Sequence, residues 1–222
     1  MRLPATLETL RELEIRSAPS GAPEVFFANG LAGLTLSLSH RSGLGVCAVA
    51  QTCRLGPALG CDLERIEPHS DPFLADYFTI EEQSLVRDSA SGDRCRLVAV
   101  LWSAKESLLK ALHLGLRVDT CSVNVTLELP PVAGNTGWYP LRVQYAEIRP
   151  LCGWWSESAG FVRTLVVVPF LGGISSRTGR FSLARDVLGA DHPVESVAGD
   201  VMVAGARPPV NIPRKVGPLR GF

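Results

Sequence analysis

A chain of 222 residues, 46% hydrophobic and 20% charged, is long enough to bury one good core or two small ones and reads as a soluble globular protein. Its 22 basic and 22 acidic residues cancel, so no whole-molecule field draws it to nucleic acid or a membrane, and any electrostatic attraction must come from local patches. Met1 to Glu8 has no apolar stretch of the signal-peptide kind and later apolar runs stop short of a membrane span, so the expectation is a cytoplasmic, monomeric protein with no nucleic-acid or membrane partner.

Residues 1 to 30 are mixed and punctuated by Pro, Gly and Ser. Leu34 to Ser39 then alternates apolar and polar with period two, which predicts a half-buried strand. Val46 to Ala50 reads as its hairpin partner across His40 to Gly45, and Leu59 to Glu64 as a third strand. Asp71-Pro72 suits the start of a short helix over Phe73 to Phe78, and Thr79-Ile80-Glu81-Glu82 has the form of a capping box opening a helix that ends near Asp88. The longest helix is predicted over 93–114, with Leu97, Val100, Leu101, Ala104, Leu108, Ala111 and Leu112 toward the core and Gly115 as its stop. Strands return over Ser122 to Leu129, Leu141 to Ile148 and Phe161 to Val168, with turns at Pro130-Pro131 and Gly134 to Gly137. Strands, then helices, then strands define an α+β fold with helices on one face of an antiparallel sheet. Residues 171–222 carry seven Lys+Arg against four Asp+Glu, are rich in Gly and Pro, and read as a flexible tail apart from a short helix near Phe181 to Leu188.

The six cysteines form no C-x-x-C pair and have no histidine at metal-ligand spacing, so neither a zinc site nor a disulfide framework is expected, and they are given no role. Only three of the 22 basic residues are lysines, Lys105, Lys110 and Lys215, and two of them lie five residues apart. Asp62 and Glu64 occupy alternate strand positions, so their carboxylates leave one face together. They are either the wet face of an edge strand or two hard oxygen ligands of the kind Mg²⁺ takes alongside water and substrate phosphates. Trp102, Glu106 and Lys110 fall on one helical stripe. Glu106 and Lys110 are either a solvated i, i+4 pair or, with Lys105, a carboxylate and two cations able to hold a metal-bound pyrophosphate.

Three motifs stand in order: Gly60-Cys61-Asp62-Leu63-Glu64, Trp102-Ser103-Ala104-Lys105-Glu106-Ser107-Leu108-Leu109-Lys110, and His113-Leu114-Gly115-Leu116, preceded by Leu38-Ser39-His40. With these the chain, over about residues 21–168, resembles the 4'-phosphopantetheinyl transferase superfamily, in particular its surfactin-type members. The resemblance implies the family's pseudo-twofold α+β fold with a shortened first half, the halves at about 1–60 and 61–170 and the tail beyond. It implies Mg²⁺-dependent transfer of the phosphopantetheine arm of coenzyme A, the substrate, to a serine of an acyl or peptidyl carrier protein, with release of 3',5'-ADP. Asp62, Glu64 and Glu106 resemble the metal ligands, and Glu106 also the base for the carrier serine. Lys110 resembles the lysine that stabilises charge on the attacked phosphate, and Lys105 assists at the pyrophosphate. Ser39 and His40 match the serine-histidine pair whose histidine contacts the 3'-phosphate of coenzyme A. Gly21-Ala22-Pro23 stands where the family has a G-K-P turn near the adenine.

The sequence departs from the pattern in three places. His113 replaces the first glycine of G-x-G-L, Ala22 replaces the lysine of G-K-P, and the N-terminal basic cluster that helps hold the 3'-phosphate has no clear equivalent, leaving Arg16 or Arg41 to substitute. A non-catalytic module of the same fold that binds carrier protein or coenzyme A is the alternative function. An unrelated Mg²⁺-dependent phosphohydrolase would leave Ser39, His40 and the lysine pair without a part.

Overall fold

The computed structural model of the chain describes residues 11–28, 30–51, 58–127, 137–146, 149–168 and 201–206. Among these, ten strands make two five-stranded antiparallel sheets, and three helices lie between the fifth and sixth strands. In chain order the elements are β1 (Leu13–Ser17), β2 (Pro23–Phe27), β3 (Gly30–Arg41), β4 (Leu44–Gln51), β5 (Ala58–Arg65), α1 (Asp71–Tyr77), α2 (Ile80–Asp88), α3 (Arg94–Ala111), β6 (Val123–Leu127), β7 (Tyr139–Tyr145), β8 (Leu151–Ser158), β9 (Phe161–Val168) and β10 (Val201–Ala206). The first sheet has the order β1-β2-β3-β4-β10 and the second β5-β9-β8-β7-β6. No described helix is long and apolar enough to cross a membrane.

The first sheet grows from hairpins. The period-two run in β3 pairs with β4 in register from Leu34↔Gln51 to Arg41↔Leu44, turning over Ser42 and Gly43, both at positive φ. Upstream, the punctuated segment, for which the sequence pattern specifies no element, forms β1 and β2, because Ala18 to Ala22 closes a turn in which Gly21 sits at φ +86. Within the region expected as a tail, Val201–Ala206 forms β10 and pairs with β4. A chain-distant strand of this kind has no local signal, since its partner is some 150 residues away and is supplied by the fold. The rest of 171–222, including the helix expected near Phe181, lies outside the described residues, as do the turns at Pro130-Pro131 and Gly134 to Thr136.

The helices pack on one face of the second sheet. Leu97, Leu101, Ala104 and Leu108 of α3 meet Val125, Leu141, Val143, Trp155 and Val166, all buried. The opposite face of that sheet, through Leu59, Cys61, Leu63, Leu165 and Val167, packs on Val46, Ala48 and Ala50 of the first sheet. The second sheet is therefore apolar on both sides. Its strand β8, with burial that does not alternate cleanly, escaped the period-two pattern for that reason.

Helix ends refine the sequence reading. Ser70, not Asp71, caps α1, its Oγ accepting from the Phe73 amide at 3.3 Å, which puts Pro72 in the first turn. The capping box forms as expected, Thr79 Oγ1 accepting from the Glu82 amide and a Glu82 carboxylate oxygen accepting from the Thr79 amide. Helix α3 stops at Ala111, short of the expected Leu114. His113 takes the left-handed conformation at φ +56, its amide donating to Lys110 O and the Leu114 amide to Leu109 O. That pair of bonds is a Schellman ending, so the position where the family pattern has glycine is a left-handed C-terminal stop.

Candidate active site

Strand β5 supplies the acidic residues and helix α3 the answering ones. The two lie so close because of Gly60: a Cβ there would stand 1.9 Å from Ser107 O and 2.6 Å from the Ala111 amide nitrogen. The glycine of G-x-D-x-E is therefore a contact surface for the helix rather than a turn residue. Buried hydroxyls complete the seat, with Ser103 Oγ and Ser107 Oγ at 2.8 and 2.7 Å from Thr164 Oγ1 on the neighbouring strand β9. Thr164 pairs with Asp62 across β5 and β9. Sequence reasoning missed Thr164, and only its pairing with Asp62 reveals it.

Seated in this way, α3 brings Lys110 to Asp62, Nζ to Oδ1 at 2.7 Å, with Glu106 Oε2 3.9 Å from the same ammonium. Ser39 Oγ on β3 also donates to Asp62 Oδ1 at 2.7 Å. The other oxygen, Asp62 Oδ2, is buried with no hydrogen-bond partner. Glu64 is held from outside by Arg41, Nε to Oε2 at 3.6 Å. Asp62, Glu64, Glu106, Lys110 and Ser39 thus meet in one place, and Arg41 joins them.

The electrostatics are those of crowded, part-buried charges. Burial, then repulsion from Asp62, pushes Glu64 up to about 7 against the pull of Arg41. Glu106 is raised by burial and by Asp62. Burial alone would lower Lys110, but the Asp62 charge and hydrogen bond outweigh it and leave the ammonium above its ordinary value. Three carboxylates that feel one another's charge, one with a buried oxygen left unsatisfied, are oxygen donors of the kind a hard divalent cation takes. Among the described residues no three His, Cys, Asp or Glu side chains are gathered into ready-made ligand geometry, and Lys110 and Arg41 compensate the acidic charge in the structure.

Three sequence candidates stand apart from this cluster. Lys105 points the other way along α3 and is fully buried, its ammonium 2.7 Å from Glu82 Oε2 and donating to the carbonyls of Tyr77, Thr120 and Val123 at 3.1, 2.8 and 2.8 Å. That corrects the expected place at a pyrophosphate: i and i+5 lie on different sides of a helix, and the paired partner was 23 residues upstream. His40 is exposed, and strand alternation puts it on the side of β3 opposite Ser39 and Arg41. Gly21 occupies the β1–β2 turn, where its amide donates to Ala18 O at 2.8 Å and a Cβ would meet nothing. Of the two arginines expected to replace the basic cluster, Arg16 pairs with Glu14 on exposed β1 and lies over the Phe26 ring, while Arg41 borders the carboxylates.

A part-buried cluster of carboxylates countered by lysine, built on one strand and one helix of an α+β fold, is a class of site suited to phosphate chemistry. Residues 58–143, which hold Asp62, Glu64, Glu106 and Lys110, match the model of the 4'-phosphopantetheinyl transferase superfamily. Among solved structures, the chain is similar to the holo-[acyl-carrier-protein] synthase (AcpS) of Thermotoga maritima, with 17% identity over 58% of this chain and 69% of that one and a TM-score of 0.36. It is also similar to the apo-ACPS structure of Chronobacterium ammoiniagenes, with 19% identity over 52% of this chain and 97% of that one and a TM-score of 0.37. No curated protein matches the chain.

Proposed function

We propose that this protein transfers the 4'-phosphopantetheine group of coenzyme A to a serine of an acyl or peptidyl carrier protein, with Mg²⁺, and that it is a surfactin-type member whose first half is reduced to the β1–β4 sheet. The observation that carries the reading is that Lys110 joins Asp62 and Glu106, with Glu64 beside them and Asp62 Oδ2 left unsatisfied, within the segment that matches the superfamily.

Asp62, Glu64 and Glu106 would hold the cation, whose chemistry is to polarise the pyrophosphate of coenzyme A and neutralise its charge. Glu106, raised by burial and by Asp62, is suited to take the proton of the carrier serine as its oxygen attacks the phosphorus next to the pantetheine arm. The new serine oxygen–phosphorus bond forms, the bridging bond of the pyrophosphate breaks, and 3',5'-ADP leaves with the bridging oxygen. Lys110, kept charged by Asp62, opposes the negative charge that grows on the departing phosphate. Ser39 fixes Asp62 Oδ1, which leaves Oδ2 as the oxygen free for a ligand role. His40 on the outer side of β3 would contact the 3'-phosphate only from a substrate that reaches past the strand edge.

Mass spectrometry of an apo carrier protein incubated with coenzyme A, Mg²⁺ and this protein tests the reading. A gain of one phosphopantetheine is expected, and it should be nearly lost with Asp62→Asn, which keeps the shape and removes the charge. An unmodified carrier would instead support the non-catalytic binding module, and breakdown of coenzyme A without transfer would support a hydrolase.

A further inference from the structure

Ser37, Ser39 and Arg41 lie at alternate positions of β3 and so share the side that faces β5. Ser37 Oγ accepts from the Cys61 amide at 2.9 Å and Ser39 Oγ donates to Asp62. Arg41, the last residue of the strand, is the one member of this stripe that is charged and partly open to solvent, its side chain 43% exposed. Its guanidinium is shared unequally. Nη2 makes a close bond to Glu67 Oε1 at 2.7 Å, while Nε stands 3.6 Å from Glu64 Oε2, a looser contact with the more enclosed of the two carboxylates.

The unequal sharing has a mechanical meaning. A divalent cation held by Glu64 would compete with the guanidinium for its charge and, with two charges, would be the stronger partner. Arg41 would then lose the weaker of its partners but keep the bond to Glu67, two residues beyond the end of β5. Its planar fork of N–H donors would be left beside the carboxylates, and that geometry matches a phosphate better than any single lysine could.

Resting on the proposed function, we propose that Arg41 couples cation binding to substrate binding: it is handed from Glu64 to a phosphate of coenzyme A when a divalent cation takes Glu64, with Glu67 as the positioning residue that keeps it beside the carboxylates. Cation and coenzyme A then favour each other's binding through one side chain, and by linkage the coupling is the same whichever binds first. No bond is made or broken in the exchange; one ion pair replaces another.

The test uses the full chain and measures binding rather than turnover. Mn²⁺ affinity is read from the free-ion electron paramagnetic resonance signal, and coenzyme A affinity by calorimetry with and without Mn²⁺. Arg41→Ala removes a competitor of the cation and a holder of the phosphate. It should bind Mn²⁺ alone about threefold or more tighter, bind coenzyme A in the presence of Mn²⁺ about fivefold or more weaker, and show a smaller coupling between them. Glu67→Gln should shift Mn²⁺ the other way, several-fold weaker, because Arg41 then leans on Glu64 alone. Mere damage to the site would weaken Mn²⁺ in both variants, and a surface ion pair would change nothing in either. Each of those results overturns the proposal while wild-type Mn²⁺ binding leaves the cation site standing, whereas a wild type that binds no Mn²⁺ overturns both readings.

Discussion

Replacing Lys105 by methionine separates two roles for the first lysine of the helix motif. The side-chain volume is nearly conserved, so the cavity contribution is small. Two of the three carbonyls it serves keep another donor, Tyr77 O from Thr120 Oγ1 at 3.0 Å and Thr120 O from the Val123 amide. The cost therefore concentrates on Glu82, which is 2% exposed and also accepts from the amides of Thr79 and Val125. Breaking a buried pair from one side costs about 3–5 kcal/mol. In a protein of this size that lowers the melting temperature by roughly 10 °C. Burial already pushes Glu82 upward against the pull of Lys105. Without the lysine its folded pKa rises further above the unfolded one, so the variant should regain stability as pH falls toward 5 and lose it as pH rises. Urea unfolding followed by circular dichroism at pH 5 and 8, for Lys105→Met, Glu82→Gln and the double variant, should give a double variant more stable than the sum of the single losses implies. The reasoning is refuted if Lys105→Met unfolds within about 1 kcal/mol of wild type, a scale below any buried-pair loss, while the folded variant fails in transfer, for then the ammonium serves the pyrophosphate after all.

Gly60→Ala should be among the most damaging single-methyl changes in the chain, since the added carbon meets helix backbone at 1.9 Å; loss of soluble protein, or a displaced α3 with weakened cation binding, is the expected result of expression and Mn²⁺ titration. Glu64, at about 7 folded against an ordinary 4.5, binds more protons folded than unfolded between those values, so cation-free protein should lose stability as pH rises from about 4.5 to 7. Over the same window cation binding must expel that proton, so apparent Mg²⁺ affinity, followed by calorimetry, should strengthen with pH and level off above 7. A chain stopped after Val168 loses the β10 ladder against β4 and should melt lower or self-associate through the bared edge, whereas a chain stopped after Ala206 should match full length in light scattering and thermal unfolding.

Much of this architecture is written in local patterns. The period-two run of β3, the capping box of α2, the full extent of β9 and the same-face carboxylates of β5 each depend on residues within a few positions of one another, and such patterns survive folding because no distant partner sets them. The same is true of the chemical class of the site, since Asp62, Glu64, Glu106 and Lys110 lie in two short ordered motifs. What a side chain touches is another matter. Lys105 and Lys110 look alike in the sequence, yet 100° per residue turns one into the core against Glu82 and the other onto Asp62. Ser39 and His40 are adjacent, and the strand pleat sends one to the carboxylates and the other to solvent. Thr164, Arg41 and β10 gained their places only because strands far apart in the chain were paired or packed, and the energy of that pairing comes from partners that no local window contains.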